Sequence, residues 1–117
     1  MKRVLIADDD AAIRSFLAQA LEDEGYVVAT AENGAIALER CEEFAPDLIV
    51  LDLTMPIADG FHFLHHRRER CAAPVVVISA APDAETLTTD LGVAAFVAKP
   101  FDVRVLVETL AQPQFAH

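Results

Sequence analysis

Short apolar segments alternate with amphipathic segments along the whole chain. The apolar segments are rich in Val, Ile, Leu and Ala and predict strands; they lie at 3–7, 27–31, 48–51, 75–79 and 94–98. The amphipathic segments have apolar residues at helical spacing and predict helices; they lie at 12–23, 35–43, 61–70 and 103–111. One more helix, short or frayed, is predicted between Pro82 and Leu91, because the Thr and Asp residues there are poor helix formers.

This alternation of strands and helices predicts the overall fold. Parallel neighbours need a crossover connection, and the crossover helices then cover both faces of the sheet. We therefore expect an α/β domain with a doubly wound, five-stranded parallel sheet, flavodoxin-like with strand order 2-1-3-4-5. Capping residues support the helix boundaries: Asn33 and Asp102 stand at predicted N-caps, and Gly25 follows the first helix.

The composition narrows the classes of function. The 117 residues suffice for one domain, 1–117, and we expect no separate output domain. No apolar run approaches the roughly 20 residues that a membrane span needs, and the N-terminal run is too short for a signal peptide, so we expect a cytoplasmic protein. The net charge of −10 argues against direct binding to nucleic acid.

Three smaller features have ordinary structural interpretations. The cluster Arg67–Arg70 is expected to belong to a solvated helix face. Cys41 and Cys71 are expected to be buried or half-buried thiols, with neither a disulfide nor a zinc site. Histidines at i, i+3 and i+4 on the third predicted helix have a metal-compatible spacing, although a surface cluster is the commoner case; they are His62, His65 and His66.

Acidic residues follow two of the predicted strands. Asp8, Asp9 and Asp10 follow the first strand, and Asp52 follows the apolar run of the third. Ligands of open α/β sheets bind at the carboxyl ends of the strands, so we expect at least three carboxylates to converge there. Their mutual repulsion favours a bound cation, and hard oxygen ligands select Mg²⁺.

Two further polar residues stand where the fourth and fifth predicted strands end, at the same edge of the sheet. Ser79 ends the fourth strand and Lys99 follows the fifth, which adds a hydroxyl and an ammonium group to the acids. Such a set suits phosphoryl transfer, in which a carboxylate can itself accept the phosphoryl group. Each residue alone has a bland explanation, such as capping or a solvated side chain, but their joint placement at four strand ends favours a functional site.

These residues belong to motifs that resemble the receiver domain of two-component response regulators, the family that includes the bacterial chemotaxis regulator. The resemblance spans essentially the whole chain. The matching motifs are Val4-Leu-Ile-Ala-Asp8-Asp9, Leu48-Ile-Val-Leu-Asp52, Met55-Pro56 with Asp59-Gly60, Val77-Ile-Ser79-Ala80, and Lys99-Pro100-Phe101.

The resemblance assigns roles to the residues at the strand ends. It implies that Asp52 is the phosphoacceptor, and that Asp8 and Asp9 hold Mg²⁺ together with Asp52 and the backbone carbonyl of Thr54. It also implies that the phosphoryl donor is a histidine kinase or a histidine phosphotransfer protein. A downstream protein then binds the altered surface.

The same resemblance suggests how the domain switches. It implies that Lys99 contacts the phosphoryl group, that Ser79 is the switch hydroxyl, and that Phe96 is the switch aromatic. Phe has no hydroxyl, so a switch at Phe96 must act through packing. The resemblance also implies a cis peptide between Lys99 and Pro100, which only an X-Pro bond adopts cheaply.

The surface for the phosphoryl donor is expected on the first helix. By resemblance it includes Ala12, Ile13 and Phe16, although a core role for Ile13 and Phe16 is an equally good interpretation. The interval between Ser79 and Lys99 is shorter than is usual in the family, which leaves open whether the chain is a monomer or a weak homodimer.

The rate of hydrolysis and three alternative functions complete the expectations. The resemblance implies that Thr54 and Ala81 flank the phosphoryl group, and because Ala81 cannot hold an attacking water, slow to moderate dephosphorylation is expected. A small Mg²⁺-dependent aspartyl-phosphate phosphatase is a weaker alternative, because its nucleophile would end the first strand and Thr54 stands where a second Asp is needed. A flavin-binding electron carrier with the same fold is a further alternative, but the chain lacks the phosphate-binding loop that it would need. An interaction module that works without phosphorylation is the remaining alternative.

Overall fold

A computed structural model describes residues 2–52, 57–67, 72–79, 93–99 and 102–112, with only the backbone described for residues 57–61. The strands are β1 (Arg3–Ala7), β2 (Val27–Ala31), β3 (Leu48–Asp52), β4 (Val75–Ser79) and β5 (Ala95–Ala98). The helices are α1 (Ala11–Asp23), α2 (Gly34–Phe44), α3 (Ile57–His66) and α4 (Val103–Leu110). Predictions that lie outside the described residues concern Thr54, Cys71, Ala81, Pro100 and the helix between Pro82 and Leu91.

The five strands form one parallel sheet in the order β2-β1-β3-β4-β5. The predicted flavodoxin-like order is therefore confirmed. The strand order reverses between β1 and β3, whose pairing aligns Ala7 with Leu51. Asp8 and Asp52 follow these two residues directly, so the register delivers both acids to the same edge of the sheet.

Helices cover both faces of the sheet, as the doubly wound prediction requires. On one face α2 and α3 bury Leu38, Phe63 and Leu64 against alternate sheet residues. On the other face α1 and α4 bury Leu17 and Leu106 against the intervening sheet residues. Because strand side chains alternate between faces, each apolar strand supplies both core layers.

The helix ends follow the predicted capping chemistry. The Asn33 carboxamide accepts a hydrogen bond from Ile36 N at 2.8 Å, and the Asp102 carboxylate accepts one from Arg104 N at 2.9 Å. Gly25 after α1 has a φ of 94°, a conformation that glycine adopts without strain. No helix within the described residues combines the length and the apolarity that crossing a membrane requires.

The prediction for the third helix was wrong in two respects. The helix begins at Ile57, four residues before the predicted start at Phe61, and it includes Gly60. A glycine inside a helix costs only about 1 kcal/mol, so Asp59-Gly60 does not exclude helix. Arg67 is buried rather than solvated, and its guanidinium donates a hydrogen bond to Ala73 O at 2.8 Å.

Candidate functional site

Four strand ends place the predicted site residues along one edge of the sheet. Asp8 follows β1, Asp52 and Ser79 are the last residues of β3 and β4, and Lys99 follows β5. The backbone N–H of Lys99 donates a hydrogen bond to Ser79 O at 2.9 Å, which continues the ladder between β4 and β5 by one residue. The backbone ladder therefore fixes where the Lys99 side chain starts.

The Asp52 carboxylate forms an ion pair with the Lys99 ammonium. Lys99 Nζ lies 2.8 Å from Asp52 Oδ2, with the Asp52 side chain fully buried and that of Lys99 18% exposed. Burying a carboxylate is unfavourable unless a nearby group compensates its charge, and the ammonium provides that compensation here. The pair joins a central strand to an outer strand of the sheet.

Asp8 is the second fully buried acid at this edge. Its Oδ1 accepts a hydrogen bond from Asp10 N at 2.9 Å, and its backbone oxygen accepts one from Arg14 Nη1 at 2.8 Å. Its backbone N–H donates to Ala31 O at 3.0 Å. Asp8 is thus held by the end of β2, by Arg14 of α1 and by Asp10 in the loop between β1 and α1.

Arg14 is a site-supporting residue that the sequence reasoning missed. It lies in the second turn of α1, and its guanidinium reaches back to the end of β1. The available signal was a lone basic residue in a helix that starts immediately after three acids. Arg14 also brings positive charge close to the Asp8 backbone.

The three consecutive aspartates have different environments. Asp8 is buried, whereas Asp9 and Asp10 are exposed. Asp10 is the N-cap of α1, where Oδ1 accepts hydrogen bonds from Ala12 N at 2.9 Å and Ile13 N at 3.1 Å. Helix capping, the bland explanation, therefore accounts for Asp10 but not for Asp8.

The donor set at this edge fits Mg²⁺. Asp8 and Asp52 supply hard carboxylate oxygens from adjacent strand ends, and Mg²⁺ characteristically takes one or two protein carboxylates and completes its octahedron with water and phosphate oxygens. Over the described ranges, no group of three or more His, Cys, Asp and Glu side chains has the arrangement of a metal site. Of the carboxylates expected at this edge, those of Asp8 and Asp52 are buried and that of Asp9 is exposed.

Ser79 and Phe96 lie in the half of the sheet that carries Lys99. Ser79 is 2% exposed. Phe96 aligns with Val77 across β4 and β5 and packs, half-buried, against the core on the α2 and α3 face. A packing role for Phe96 is therefore established, and its role as a switch stays a prediction.

The predicted docking residues differ in exposure. Ala12 is exposed, Ile13 packs partly against the core beneath α1, and Phe16 is 60% exposed. A purely core role is therefore wrong for Phe16 and correct in part for Ile13. Among the described residues, Phe16 and Val105 are the exposed large apolar side chains.

Comparison with known proteins gives the same family from sequence and from structure. The model of the response regulator receiver domain matches residues 4–111. The chain is 37% identical over 112 residues to the transcriptional regulatory protein PdtaR of Mycobacterium tuberculosis, covering 93% of this chain and 55% of the relative. It is 39% identical over 105 residues to the KDP operon transcriptional regulatory protein KdpE of Escherichia coli, covering 88% of this chain and 47% of the relative. The chain thus spans about half the length of these curated relatives.

Solved structures show the same similarity over nearly the whole chain. The chemotaxis protein CheY4 of Vibrio cholerae superposes with a TM-score of 0.84 at 30% identity, covering 94% of this chain and 96% of that one. The response regulator TrrA of Thermotoga maritima, solved in complex with Mg²⁺-BeF, superposes with a TM-score of 0.79 at 32% identity and the same coverage. Taken with the strand order and the matched family model, these similarities establish that the chain belongs to the receiver domain family of two-component response regulators.

Proposed function

We propose that Asp52 accepts a phosphoryl group from a histidine kinase or a histidine phosphotransfer protein, and that the change alters a surface which a downstream protein binds. The observation that carries the proposal is the ion pair of Asp52 with Lys99 at the open end of the sheet. A buried acid held beside a cation at a ligand-binding edge is a characteristic setting for a nucleophilic carboxylate. The proposal assigns regulation to the domain, which would catalyse only its own phosphorylation and dephosphorylation.

The chain's own residues supply positioning and charge compensation. An oxygen of Asp52 attacks phosphorus, the bond from phosphorus to the donor nitrogen breaks, and the donor histidine leaves with the electron pair. The Lys99 ammonium compensates the negative charge on the phosphoryl oxygens, since it already lies within contact of the carboxylate. Ser79, at the end of the neighbouring strand, is assigned to donate a hydrogen bond to a phosphoryl oxygen.

Mg²⁺ is the cofactor that this proposal requires. Asp8 and Asp9 would hold it together with Asp52 and the Thr54 backbone carbonyl. When bound, the ion supplies further neutralisation of the phosphoryl oxygens, because two clustered carboxylates otherwise repel an anionic donor. Support for this assignment comes from the buried hard-oxygen donors of Asp8 and Asp52.

Intact mass after incubation with acetyl phosphate and Mg²⁺ tests the acceptor. We expect the wild type to gain one phosphoryl group, and Asp52→Asn to gain none, since the amide is isosteric but not nucleophilic. Asp23→Asn is the matched control, because Asp23 is an exposed acid that accepts a hydrogen bond from Gln19 at the end of α1. Removing Mg²⁺ with EDTA should abolish the gain.

The outcomes separate the proposal from its alternatives. An equal gain in wild type and Asp52→Asn would place the acceptor elsewhere. No gain in any sample, repeated with a phosphorylated histidine phosphotransfer protein as donor, would leave an interaction module that works without phosphorylation. Sustained turnover of a phosphate ester would instead indicate the phosphatase.

The exposed part of α1 around Ala12, Ile13 and Phe16 is proposed as part of the surface for the phosphoryl donor. Phe16 is 60% exposed and lies on the helix that begins two residues after Asp9. Phe16→Ser should slow transfer from a histidine kinase active on the wild type, while phosphorylation by acetyl phosphate stays unchanged. Val105→Ser serves as the matched control, because Val105 is also exposed and apolar but lies on α4. Equal slowing with both donors would contradict a docking role.

A further inference from the structure

The last two turns of α3 carry three exposed histidines that the phosphorylation site does not use. They are His62, His65 and His66. The rings of His62 and His66 lie with their centroids 4.3 Å apart and their planes tilted by 51°. The ring of His65 lies 5.1 Å from that of His66 in an edge-on arrangement.

His62 and His66 have the geometry of a two-imidazole chelate. Residues four apart lie on the same side of a helix, one turn above the other, so their side chains can reach one ion together. The ring separation shows that these two imidazoles do meet. Neither is buried, so rotation of each ring to aim a nitrogen at a shared ion meets no core packing.

Imidazole nitrogens define the class of metal. They suit Zn²⁺, Ni²⁺ and Cu²⁺, whereas Mg²⁺ prefers oxygen ligands. The net charge of −10 raises the local concentration of cations around the molecule. Because its ligands are nitrogens, the histidine pair would discriminate against Mg²⁺, the ion proposed for the acidic edge.

We propose that His62 and His66 form a binding site for a divalent transition metal of the Zn²⁺ class, with water completing the coordination. His65 is not assigned as a ligand, because its ring lies edge-on to that of His66 at 5.1 Å, whereas the rings of His62 and His66 are 4.3 Å apart. The ion ties two successive turns of α3 together. It therefore stabilises the helix that follows the phosphoacceptor strand.

Calorimetric titration of the 117-residue chain with Zn²⁺ tests the site. The titration is run at about pH 7.5, and excess Mg²⁺ occupies carboxylate sites throughout. We expect one Zn²⁺ per chain in the wild type. His62→Gln and His66→Gln should each weaken binding about tenfold or more, because each removes one of two protein ligands.

Two other variants are matched controls. His65→Gln alters an adjacent exposed histidine on the same helix, and His117→Gln alters the only histidine outside α3 in the sequence. Both should bind Zn²⁺ as the wild type does. In the wild type, the imidazole NMR signals of His62 and His66 should shift together on addition of Zn²⁺. This measurement needs no variant, so a loss of stability in a variant cannot affect it.

Three results would overturn the assignment. The first is the absence of binding in the wild type. The second is unchanged binding in both His62→Gln and His66→Gln. The third is a loss in His65→Gln equal to theirs, which would contradict a two-imidazole site. Mg²⁺-dependent phosphorylation of Asp52 is measured separately, so failure of either proposal leaves the other standing.

Discussion

The central and outer strands of the sheet differ sharply in burial. Every residue of β3 and β4 is buried, whereas β2 is buried only at Ala31 and β5 only at Val97. The phosphoacceptor candidate Asp52 ends a central strand, and Lys99 follows an outer one. The ion pair at the candidate site thus connects the most enclosed part of the sheet to one of its least enclosed parts.

Central strands are more buried than outer strands because they have more neighbouring strands and helices. β3 pairs with strands on both sides and is covered on both faces by helices, while β5 has a paired strand on one side only. Local opening costs least where few apolar contacts are lost. We therefore expect Asp52 to keep its position and the outer strand, with Lys99 and Phe96, to carry most of any movement.

Truncation of core side chains tests the burial contrast and should have the largest effect. Ile49→Ala in β3 is expected to lower the free energy of unfolding by about 2–5 kcal/mol, since it opens a cavity in a fully enclosed layer. Val28→Ala in β2 should cost about 1 kcal/mol or less, because the side chain is only partly buried and the site can relax. Urea denaturation of both variants measures the difference. Equal costs would contradict the contrast between central and outer strands.

Removal of the ammonium tests the link between the two regions. Lys99→Met keeps the apolar stem but leaves the Asp52 carboxylate buried without this counter-charge, so we expect a loss of about 1–3 kcal/mol. Asp52→Asn should cost little or stabilise, because it also ends the repulsion from the neighbouring Asp8. Denaturation in EDTA measures both variants without a bound divalent ion.

The double variant supplies the control for this prediction. Asp52→Asn combined with Lys99→Met should be less destabilised than Lys99→Met alone, with a coupling of about 1 kcal/mol or more. Additive effects would show that the contact between the two side chains contributes no net stability. In that case the outer strand would not be tied to the centre through this pair.

Titration of Tyr26 should give the smallest effect and reports on the outer strand β2. Burial, with the carboxylate of Glu24 as a second cause, raises the pKa of Tyr26 above 10.0. The folded chain thus disfavours tyrosinate more than the unfolded chain does. The contribution to stability is complete below pH 10.0 and is lost as the pH rises through the folded-state pKa.

Urea denaturation at a series of alkaline pH values tests whether stability falls as Tyr26 ionises. Tyr26→Phe should lose less stability than the wild type as the pH rises past the tyrosine range. Tyr26 is the only tyrosine in the chain, so the absorbance of tyrosinate follows its ionisation directly. Parallel stability curves for the two proteins would show that Tyr26 does not sense folding.

The sequence predicted best those features of the structure that depend on residues close together in the chain. The apolar runs of β3 and β4 are buried on both faces, so their bounds came out within one residue of the prediction. The N-caps at Asn33 and Asp102 were also predictable, because a cap depends only on a side chain and the next few backbone groups. The start of α3 was not predictable in this way. Asp59 and Gly60 are residue types typical of turns, yet the helix includes both.

The site shows the same division. The types of residue at the four strand ends identify the chemistry, and the alternation of strands predicts that they share an edge. The local pattern could not distinguish Asp8 from Asp10, because both are aspartates beside the same helix start, and only the resemblance to the family separated them. Their roles diverge through long-range contacts: Asp8 is enclosed by β2 and Arg14, while Asp10 caps α1.

By itself, the sequence determined the parallel α/β class and the residues that end each strand, because these depend on hydrophobic periodicity and short-range backbone chemistry. Only the tertiary structure decided that Asp52 pairs with Lys99, that Phe16 is exposed and that Arg67 is buried. Each of these outcomes depends on which distant segment packs against the side chain. Burial and pairing are properties of that packing, so no local pattern in the chain encodes them.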